Sequence, residues 1–156
     1  MSANIPAGFA PLNISMGFLE TNGPLYGKWE KERLHLGFRV EARHCNPGMV
    51  AHGGMMATFA DMQLPLAARF QSKLDPGFSP TVNLTCDFVA PAPLGSWVEG
   101  SAEMTHATRN LLFVHGTATA DGKICLRANG IFRIVRMPNE AFSLENLFGP
   151  VAGRQG

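Results

Sequence analysis

Hydrophobic residues recur with two different periods along the chain, and the change of period separates a helical part from a strand-rich part. Over residues 54–70 the apolar positions recur at steps of four, three and four, a spacing that places them on one face of a helix. These positions are Met55, Phe59, Met62 and Leu66. We therefore predict one long helix from Gly54 to about Phe70.

After this helix the period becomes two, which is typical of strands. From Thr81 onward, apolar side chains alternate with Thr81, Asn83, Thr85 and Asp87; the apolar set is Val82, Leu84, Cys86 and Phe88. Further strands are predicted at Ser96–His106, Leu111–Ala120 and Ile124–Val135. Asp121-Gly122 is a strong hairpin signal between the last two strands, and Thr108-Arg109-Asn110 is a plausible turn between the two before.

Two strands are predicted before the helix, near Gly17–Glu20 and Leu34–Ala42. Asn22-Gly23-Pro24 marks a turn between them, and a polar loop follows at Arg43–Ala51. The order is then two strands, one long helix and four strands.

The two ends of the chain depart from this pattern. Residues 1–10 are expected to be loose, and a C-terminal extension is expected over residues 137–156. Within that extension Glu140–Phe148 is predicted as a short helix, and Gly149–Gly156 as frayed.

This order predicts a single α+β domain over residues 1–156, with an antiparallel sheet of about six strands wrapped around one central helix. One helix covers only one face of such a sheet. The other face or an edge should therefore be buried against another subunit, which predicts a homo-oligomer.

Composition narrows the possible partners and the compartment. Hydrophobic residues make up 46% of the chain and charged residues 16%, with a net charge of +1, so nothing favours nucleic acid or a membrane surface. The three cysteines, Cys45, Cys86 and Cys125, are odd in number and suit a reducing compartment. Since neither a signal peptide nor a membrane span is evident, a cytoplasmic location is predicted.

The candidate chemistry lies at the start of the predicted helix. The first N–H groups of a helix lack intrahelical partners, and the glycines of His52-Gly53-Gly54 let a ligand carbonyl approach them closely. Such a site can hold the negative oxygen that develops when an acyl carbon is attacked, and Asn46 could add a side-chain donor.

Asp61 is an acid within the otherwise apolar helix. It lies about two turns beyond Gly54, roughly 10 Å along the axis, so it fits better opposite the helix start of a second subunit. Pro65 removes the N–H that would bond the carbonyl of Asp61, and we expect a kink there.

Taken together, the Asn46 loop, His52-Gly53-Gly54 and Asp61 resemble the hotdog-fold acyl-CoA thioesterase superfamily, specifically its phenylacetic-acid-degradation branch. In that branch an asparagine precedes the histidine by six residues and the acid by fifteen, as Asn46 precedes His52 and Asp61 here. The stretches 88–95 and 128–132 are also similar to the family. The resemblance covers roughly residues 14–135.

The resemblance implies a role for each matching residue. Asp61 would be the nucleophile or the general base, the Gly53 N–H would polarise the thioester carbonyl, and Asn46 would orient substrate or water. His52 would support the loop, and Thr81 would position water, with Ser79 as a possible substitute.

The substrate that the resemblance implies is an acyl-CoA, with coenzyme A as part of the substrate and no further cofactor or metal. Gly54 and Arg109 would contact the CoA portion, and Arg133 and Arg136 are weaker candidates. The acyl group would be an aryl or a medium- to long-chain one; its possible walls are Met55, Met56, Phe59 and Met62. The family also implies a dimer or a dimer of dimers in which Asp61 meets the Gly53 turn of its neighbour.

Other functions remain open from the sequence. A hotdog acyl-CoA hydratase or dehydratase and a non-catalytic acyl-CoA-binding module both keep the fold. A zinc site of His44, Cys45 and His52 matches no familiar spacing. A cysteine hydrolase using Cys86 or Cys125 with His106 or His115 is no better supported.

Overall fold

The computed structural model describes residues 4–14, 17–72, 74, 77–136 and 144–148. Its strands, in chain order, are β1 (Ala10–Pro11), β2 (Tyr26–Glu30), β3 (Arg33–Arg39), β4 (Gly77–Phe78), β5 (Thr81–Phe88), β6 (Trp97–Ala107), β7 (Leu111–Ala120), β8 (Lys123–Arg133) and β9 (Val135–Arg136). Its helices are α1 (Phe18–Asn22), α2 (Gly53–Gln71) and α3 (Leu144–Leu147), and a 3-10 turn covers Ala42–His44.

Seven strands form one antiparallel sheet in the order β1-β2-β3-β6-β7-β8-β5, and β4 pairs separately with β9. The sheet holds α2 against one face, where the helix packs on β3, β5, β6, β7 and β8. The predicted α+β class, with an antiparallel sheet around one long helix, is confirmed; the sheet has seven strands where about six were expected.

The core forms between α2 and the inward side of the sheet because both the helix and the strands are amphipathic. On α2, Met55, Met56, Phe59 and Leu64 are all buried, and they join a single cluster with Leu36, Phe38, Val98, Val114 and Phe132 from the strands. The predicted helix is confirmed, with its start one residue earlier, at Gly53. It continues through Pro65 to Gln71, so the kink stays a prediction.

The strands after α2 follow the prediction closely. Thr81–Phe88 and Leu111–Ala120 have the predicted bounds, and β6 and β8 differ from theirs by one or two residues. The Asp121-Gly122 turn is also confirmed, since both residues have positive φ, 46° and 82°.

Of the two strands predicted before the long helix, the first is wrong and the second is confirmed with different bounds. Gly17–Glu20 is not a strand: Phe18–Asn22 is a short helix, in which the Asn22 amide donates to the Phe18 carbonyl at 2.7 Å. The strand that pairs with β3 is β2, Tyr26–Glu30, which the sequence reading missed. β3 itself ends at Arg39 rather than Ala42, because the chain turns into the 3-10 segment Ala42–His44.

Both terminal segments contact the domain where they are described. The Phe9 ring lies 5.0 Å from the Trp97 ring in an edge-on contact, although residues 1–10 were expected to be loose. Leu147 of α3 is buried, and its carbonyl accepts a hydrogen bond from the Asn13 N–H at 2.7 Å. The other parts of the predicted C-terminal extension, residues 137–143 and 149–156, lie outside the described residues.

Two glutamines of α2 complete the sheet where β3 and β6 separate. β3 pairs with β6 only from Leu36 to Arg39. Where this pairing ends, the Leu36 N–H donates to Gln63 Oε1 at 2.8 Å, and Gln63 Nε2 donates to the Leu34 carbonyl at 3.2 Å. Gln71 Nε2 donates to the Ala102 carbonyl of β6. The helix thus supplies hydrogen bonds that a neighbouring strand would otherwise make.

Replacing Gln63 by leucine is expected to destabilise the fold. Gln63 is only 3% exposed, so Gln63→Leu leaves a buried N–H and a buried carbonyl without partners. Each costs about 1–3 kcal/mol, and a total of about 2–6 kcal/mol corresponds to a fall in Tm of roughly 4–24 °C in a protein of this size. Calorimetry measures the fall. Gln71→Leu is the matched control at a half-buried position, and an equal or larger fall for it would contradict this explanation.

The sheet has one long open edge in the described residues. The β1 edge is short, whereas β5 pairs with β8 on one side and with no strand on the other. Val82 and Phe88 of β5 are 60% and 57% exposed. A long edge strand with exposed apolar side chains is a site for pairing with another chain.

Candidate active site

The start of α2 presents a free backbone donor. His52 is the N-cap residue, and its Nδ1 accepts a hydrogen bond from the Gly54 N–H at 2.8 Å. The Gly53 N–H makes no hydrogen bond to any other described residue. His52 therefore fixes the helix start, Gly54 is occupied by the cap, and Gly53 is the donor left for a ligand.

The loop before the helix is held by Asn46. Its Oδ1 accepts from the Gly48 N–H at 2.9 Å, and its backbone N–H donates to the Val50 carbonyl at 2.9 Å. Met49 has a positive φ of 57°. The side-chain oxygen thus stabilises the loop, and the Nδ2 group stays available to donate.

Asp61 and Thr81 are brought together by the packing of α2 on β5. Thr81 Oγ1 donates to Asp61 Oδ1 at 2.5 Å, a short distance of the kind found when a hydroxyl donates to a carboxylate. Asp61 is half-buried. The bond fixes one carboxylate oxygen and leaves the other lone pairs free.

A β-bulge at Val82 is what turns Thr81 toward Asp61. Thr81 pairs with Phe132 and Asn83 pairs with Ile131, so Val82 has no partner of its own on β8. The extra residue shifts the alternation, because successive side chains of a strand point to opposite faces. The sequence pattern placed Thr81 on the same side as Asn83 and Thr85, and the bulge moves it to the helix side.

Ser79, the possible substitute for Thr81, has a different contact. Its Oγ accepts a hydrogen bond from Arg69 Nη1 at 3.0 Å. Arg69 is a buried residue of α2 and also donates to the Phe78 carbonyl at 3.5 Å. This contact connects α2 to the segment before β5, and it is Thr81, not Ser79, that reaches Asp61.

Within one chain, Asp61 and Gly53 stay apart. Eight residues of helix separate them, about 12 Å along the axis. Each lies near a different end of β5: Thr81 contacts Asp61, while the Phe88 ring comes within 3.5 Å of the Cβ position of Gly53. No pattern in the sequence predicts Phe88 as a neighbour of Gly53. The predicted site residues therefore form two half-sites at opposite ends of one edge strand.

Arg109 lies in the β6–β7 turn and is exposed. The turn is closed by Thr108 Oγ1, which accepts from the Leu111 N–H at 3.0 Å. Leu111 pairs with Arg133, and the adjacent Phe132 pairs with Thr81. The Arg109 turn is thus at the same end of the sheet as Thr81, about two strand spacings or roughly 10 Å to the side.

The apolar residues proposed as acyl walls are mostly in the core. Met55, Met56 and Phe59 are buried between α2 and its own sheet, so they are not surfaces that a substrate meets in this chain. Met62 is half-buried and is the member of that set that reaches the surface.

The zinc and cysteine alternatives find no support in the described residues. Both ring nitrogens of His44 are engaged within the chain, by the Glu41 N–H at 3.0 Å and the Asn22 carbonyl at 3.1 Å, and no group of three or more His, Cys, Asp or Glu that could hold a metal ion occurs there. Burial raises the pKa of the Cys86 thiol, as do Asp61 and Asp87, and burial raises the pKa of Cys125. A raised pKa is the opposite of what a nucleophilic cysteine needs.

No helix in the described part of the chain is both long and apolar enough to span a membrane.

Comparisons with known proteins identify the family of this chain. Residues 48–125 match the Thioesterase superfamily. A Pseudomonas aeruginosa protein named "Putative esterase PA0474" is 32% identical over 132 residues, which cover 84% of this chain and 98% of that protein.

Solved structures share the fold. A mutant of phenylacetic acid degradation protein PaaI from Thermus thermophilus has a TM-score of 0.64 and 22% identity over 76% of this chain and 98% of its own. The BH2602 protein from Bacillus halodurans, solved with CoA, has a TM-score of 0.61 and 20% identity over 71% of this chain and 74% of its own. The resemblance and the enzyme class predicted from the sequence, thioester hydrolase, are confirmed at the level of the superfamily. The chain belongs to the thioesterase superfamily, with the hotdog fold.

Proposed function

We propose that this protein is an acyl-CoA thioesterase that hydrolyses an aryl- or medium- to long-chain acyl-CoA to the free acid and CoA. The observation that carries the proposal is the Asp61 carboxylate on α2, oriented by the 2.5 Å hydrogen bond from Thr81. The same helix begins with a free donor at Gly53. A fixed carboxylate and an oxyanion donor are the two components that acyl transfer from a thioester requires.

Asp61 would act in one of two ways. As a general base it takes a proton from water, whose oxygen attacks the carbonyl carbon. As a nucleophile it attacks that carbon itself and forms a mixed anhydride, which water then hydrolyses. In both cases the carbon–sulfur bond breaks, and CoA leaves as the thiol after protonation.

Gly53 and Asn46 would stabilise the negative charge that develops on the carbonyl oxygen. The Gly53 N–H lies at the positive end of the α2 dipole, and Asn46 can donate from Nδ2 while its Oδ1 holds the loop. His52 would keep the helix start in place through its bond from the Gly54 N–H.

A homodimer would join the two half-sites. If β5 of one subunit pairs antiparallel with β5 of its partner across a two-fold axis, the Thr81 end of one strand faces the Phe88 end of the other. That pairing carries Asp61 toward the Gly53 turn of the partner subunit and creates two equivalent sites. The exposed apolar residues of β5 support this edge as the interface. Two such dimers could associate further into a dimer of dimers.

The CoA portion would be recognised by cations near the Thr81 end of the sheet. Arg109 is exposed and makes no ion pair with another described residue, and Arg133 is exposed at the end of β8. Guanidinium groups suit phosphate oxygens. The CoA in the BH2602 structure supports a CoA thioester as the substrate.

We also propose a cytoplasmic location without a partner nucleic acid or membrane. All three cysteines are free, as expected in a reducing compartment. The proposed reaction needs no cofactor or metal beyond the CoA of the substrate.

Replacing Thr81 by valine is expected to lower kcat about 10- to 100-fold, since a hydrogen bond to a charged group is worth about 1.5–3 kcal/mol. Valine keeps the shape of threonine and removes the donor to Asp61. The matched control is Thr85→Val, because the Thr85 hydroxyl reaches only Asn83, at 3.5 Å. Steady-state kinetics of both variants measure the effect, and equal rates would show that the Thr81 bond does not serve catalysis.

The function is tested by release of free thiol from phenylacetyl-, benzoyl-, hexanoyl- and palmitoyl-CoA. Turnover of any member supports the proposal and names the acyl class. A protein that hydrolyses none of the four but hydrates a 2-enoyl-CoA would be a hydratase, which has the same fold. Tight binding of acyl-CoA without any turnover would indicate a binding module.

A further inference from the structure

His44 lies where the loop that carries Asn46 and His52 joins the rest of the domain. It is 2% exposed, and its ring meets the Phe38 ring edge-on at 5.3 Å. Its Nδ1 accepts the Glu41 N–H at 3.0 Å, and Nε2 is 3.1 Å from the Asn22 carbonyl at the end of α1. A neutral ring with its proton on Nε2 satisfies both contacts. The side chain thus joins the 3-10 turn to α1.

The backbone of His44 reaches the other end of the same loop. Its carbonyl accepts the His52 N–H at 2.7 Å, and the bridge between Cys45 and Ala51 lies directly beside it. His52 is the N-cap of α2, so this bond bears on the position of the Gly53 N–H. One residue therefore fixes the start of the loop, two positions before Asn46, and its end, at the helix cap.

We infer that His44 is a positioning residue, which holds the Asn46 side chain and the Gly53 N–H in the arrangement that stabilises the oxyanion. This inference rests on the proposed thioesterase function for its kinetic consequence, but its structural part does not. His44 touches no substrate in this scheme and acts only through the loop. Displacements of about 1 Å in a catalytic group are enough to lower a rate about 100-fold.

The charge state of the ring connects this role to pH. Burial lowers the pKa of His44, as does the Arg43 guanidinium, while Glu41 and the hydrogen bonds to Asn22 and Arg39 oppose the shift. Arg43 itself is paired with Glu41 at 3.0 Å. His44 is thus neutral above its ordinary pKa of about 6.5. Once the pH falls below its lowered folded-state pKa, Nδ1 becomes a donor and can no longer accept the Glu41 N–H.

The test compares wild type with His44→Phe, which keeps a buried ring without either bond, and His44→Asn, whose side-chain oxygen can still accept the Glu41 N–H. His35→Asn is the control. His35 also has a pKa lowered by burial, but it lies on β3, away from the loop. Hydrogen exchange of the amides of residues 46–54 is measured at pH 8, and kcat and KM are measured from pH 5 to 9.

The expected result for His44→Phe is faster exchange of the amides of residues 46–54, with the β7 and β8 amides unchanged. Its kcat is expected to fall about 10- to 100-fold while KM stays within about threefold, the pattern of a lost transition-state interaction. In His44→Asn we expect a smaller loss of kcat. In wild type we expect kcat to fall below pH 6.5, and in His44→Asn we expect this fall to shift to lower pH.

Three outcomes would overturn the inference: unchanged loop exchange in His44→Phe, wild-type kcat in that variant, or a wild-type acid limb in His44→Asn. If wild type hydrolyses no acyl-CoA, the proposed function fails, whereas the exchange experiment still decides whether His44 holds the loop.

Discussion

Asp61→Asn is expected to lower kcat for acyl-CoA hydrolysis about 100-fold or more while the protein stays folded. Asparagine has nearly the size of aspartate and can still accept the Thr81 hydroxyl. It lacks the charge that either removes a proton from water or attacks the thioester. Release of free thiol from the best substrate of the panel measures the rate, and the melting temperature measures the fold.

The matched control is Glu103→Gln, which removes the same charge from an exposed carboxylate. Glu103 pairs with Arg33 on the outer side of the sheet, and surface pairs of this kind contribute little to stability. Its kcat is expected to stay at the wild-type level. A folded Asp61→Asn protein with the same activity as Glu103→Gln would remove Asp61 from the reaction and favour another role for the fold.

Mixing two inactive variants is expected to restore activity if the site is shared between subunits. Asp61→Asn damages the acid half-site. Asn46→Asp damages the oxyanion half-site, because it keeps the oxygen that holds the loop but places a negative charge beside the developing oxyanion. A dimer with one chain of each kind would contain one site with both halves intact and one with both damaged.

The size of the recovery follows from the pairing statistics. Random exchange at equal concentrations makes about half of the dimers mixed, each with one intact site of two, so activity should recover to about a quarter of wild type per chain. The chains are mixed after mild unfolding and refolding, with each variant treated alone as the control. No recovery, with dimers present by light scattering, would place Asp61 and Gly53 of a single chain in one site and contradict the interface at β5.

Elements whose signal lies in neighbouring residues could be predicted from the sequence, whereas those that depend on distant contacts could not. The period of α2 and the alternation of β5 to β8 arise from residues next to each other in sequence, and these elements were found. The strand predicted at residues 17–20 is wrong because two adjacent apolar residues, Phe18 and Leu19, are too few to distinguish the period of a strand from that of a helix. The local bond of Asn22 to the Phe18 carbonyl favours a helical turn, which hydrophobicity does not reveal.

The candidate site was predicted in part for the same reason. The spacing of Asn46, His52 and Asp61 is visible in the chain, and in the structure His52 caps α2 while Asn46 holds the preceding loop. The contact of Thr81 with Asp61 depends on a pairing irregularity between β5 and β8, which no local pattern encodes. The position of His44 likewise depends on contacts with Asn22, 22 residues away.

The unpaired residue at Val82 has a consequence for changes in chain length. In a regular strand of the same length, Thr81 would lie on the face opposite to Leu84 and Cys86. The bulge lets Leu84 and Cys86 face the core while Thr81 also faces Asp61. Deleting Val82 would let the strand pair without interruption and would leave Thr81 directly beside Asn83, so the alternation would still point the Thr81 hydroxyl toward the helix. Straightening the strand without removing a residue would instead carry Thr81 to the outer face, or carry Leu84 and Cys86 out of the core. Alignments of relatives should therefore allow this interval to be one residue shorter, and library designs that keep its length should keep the bulge.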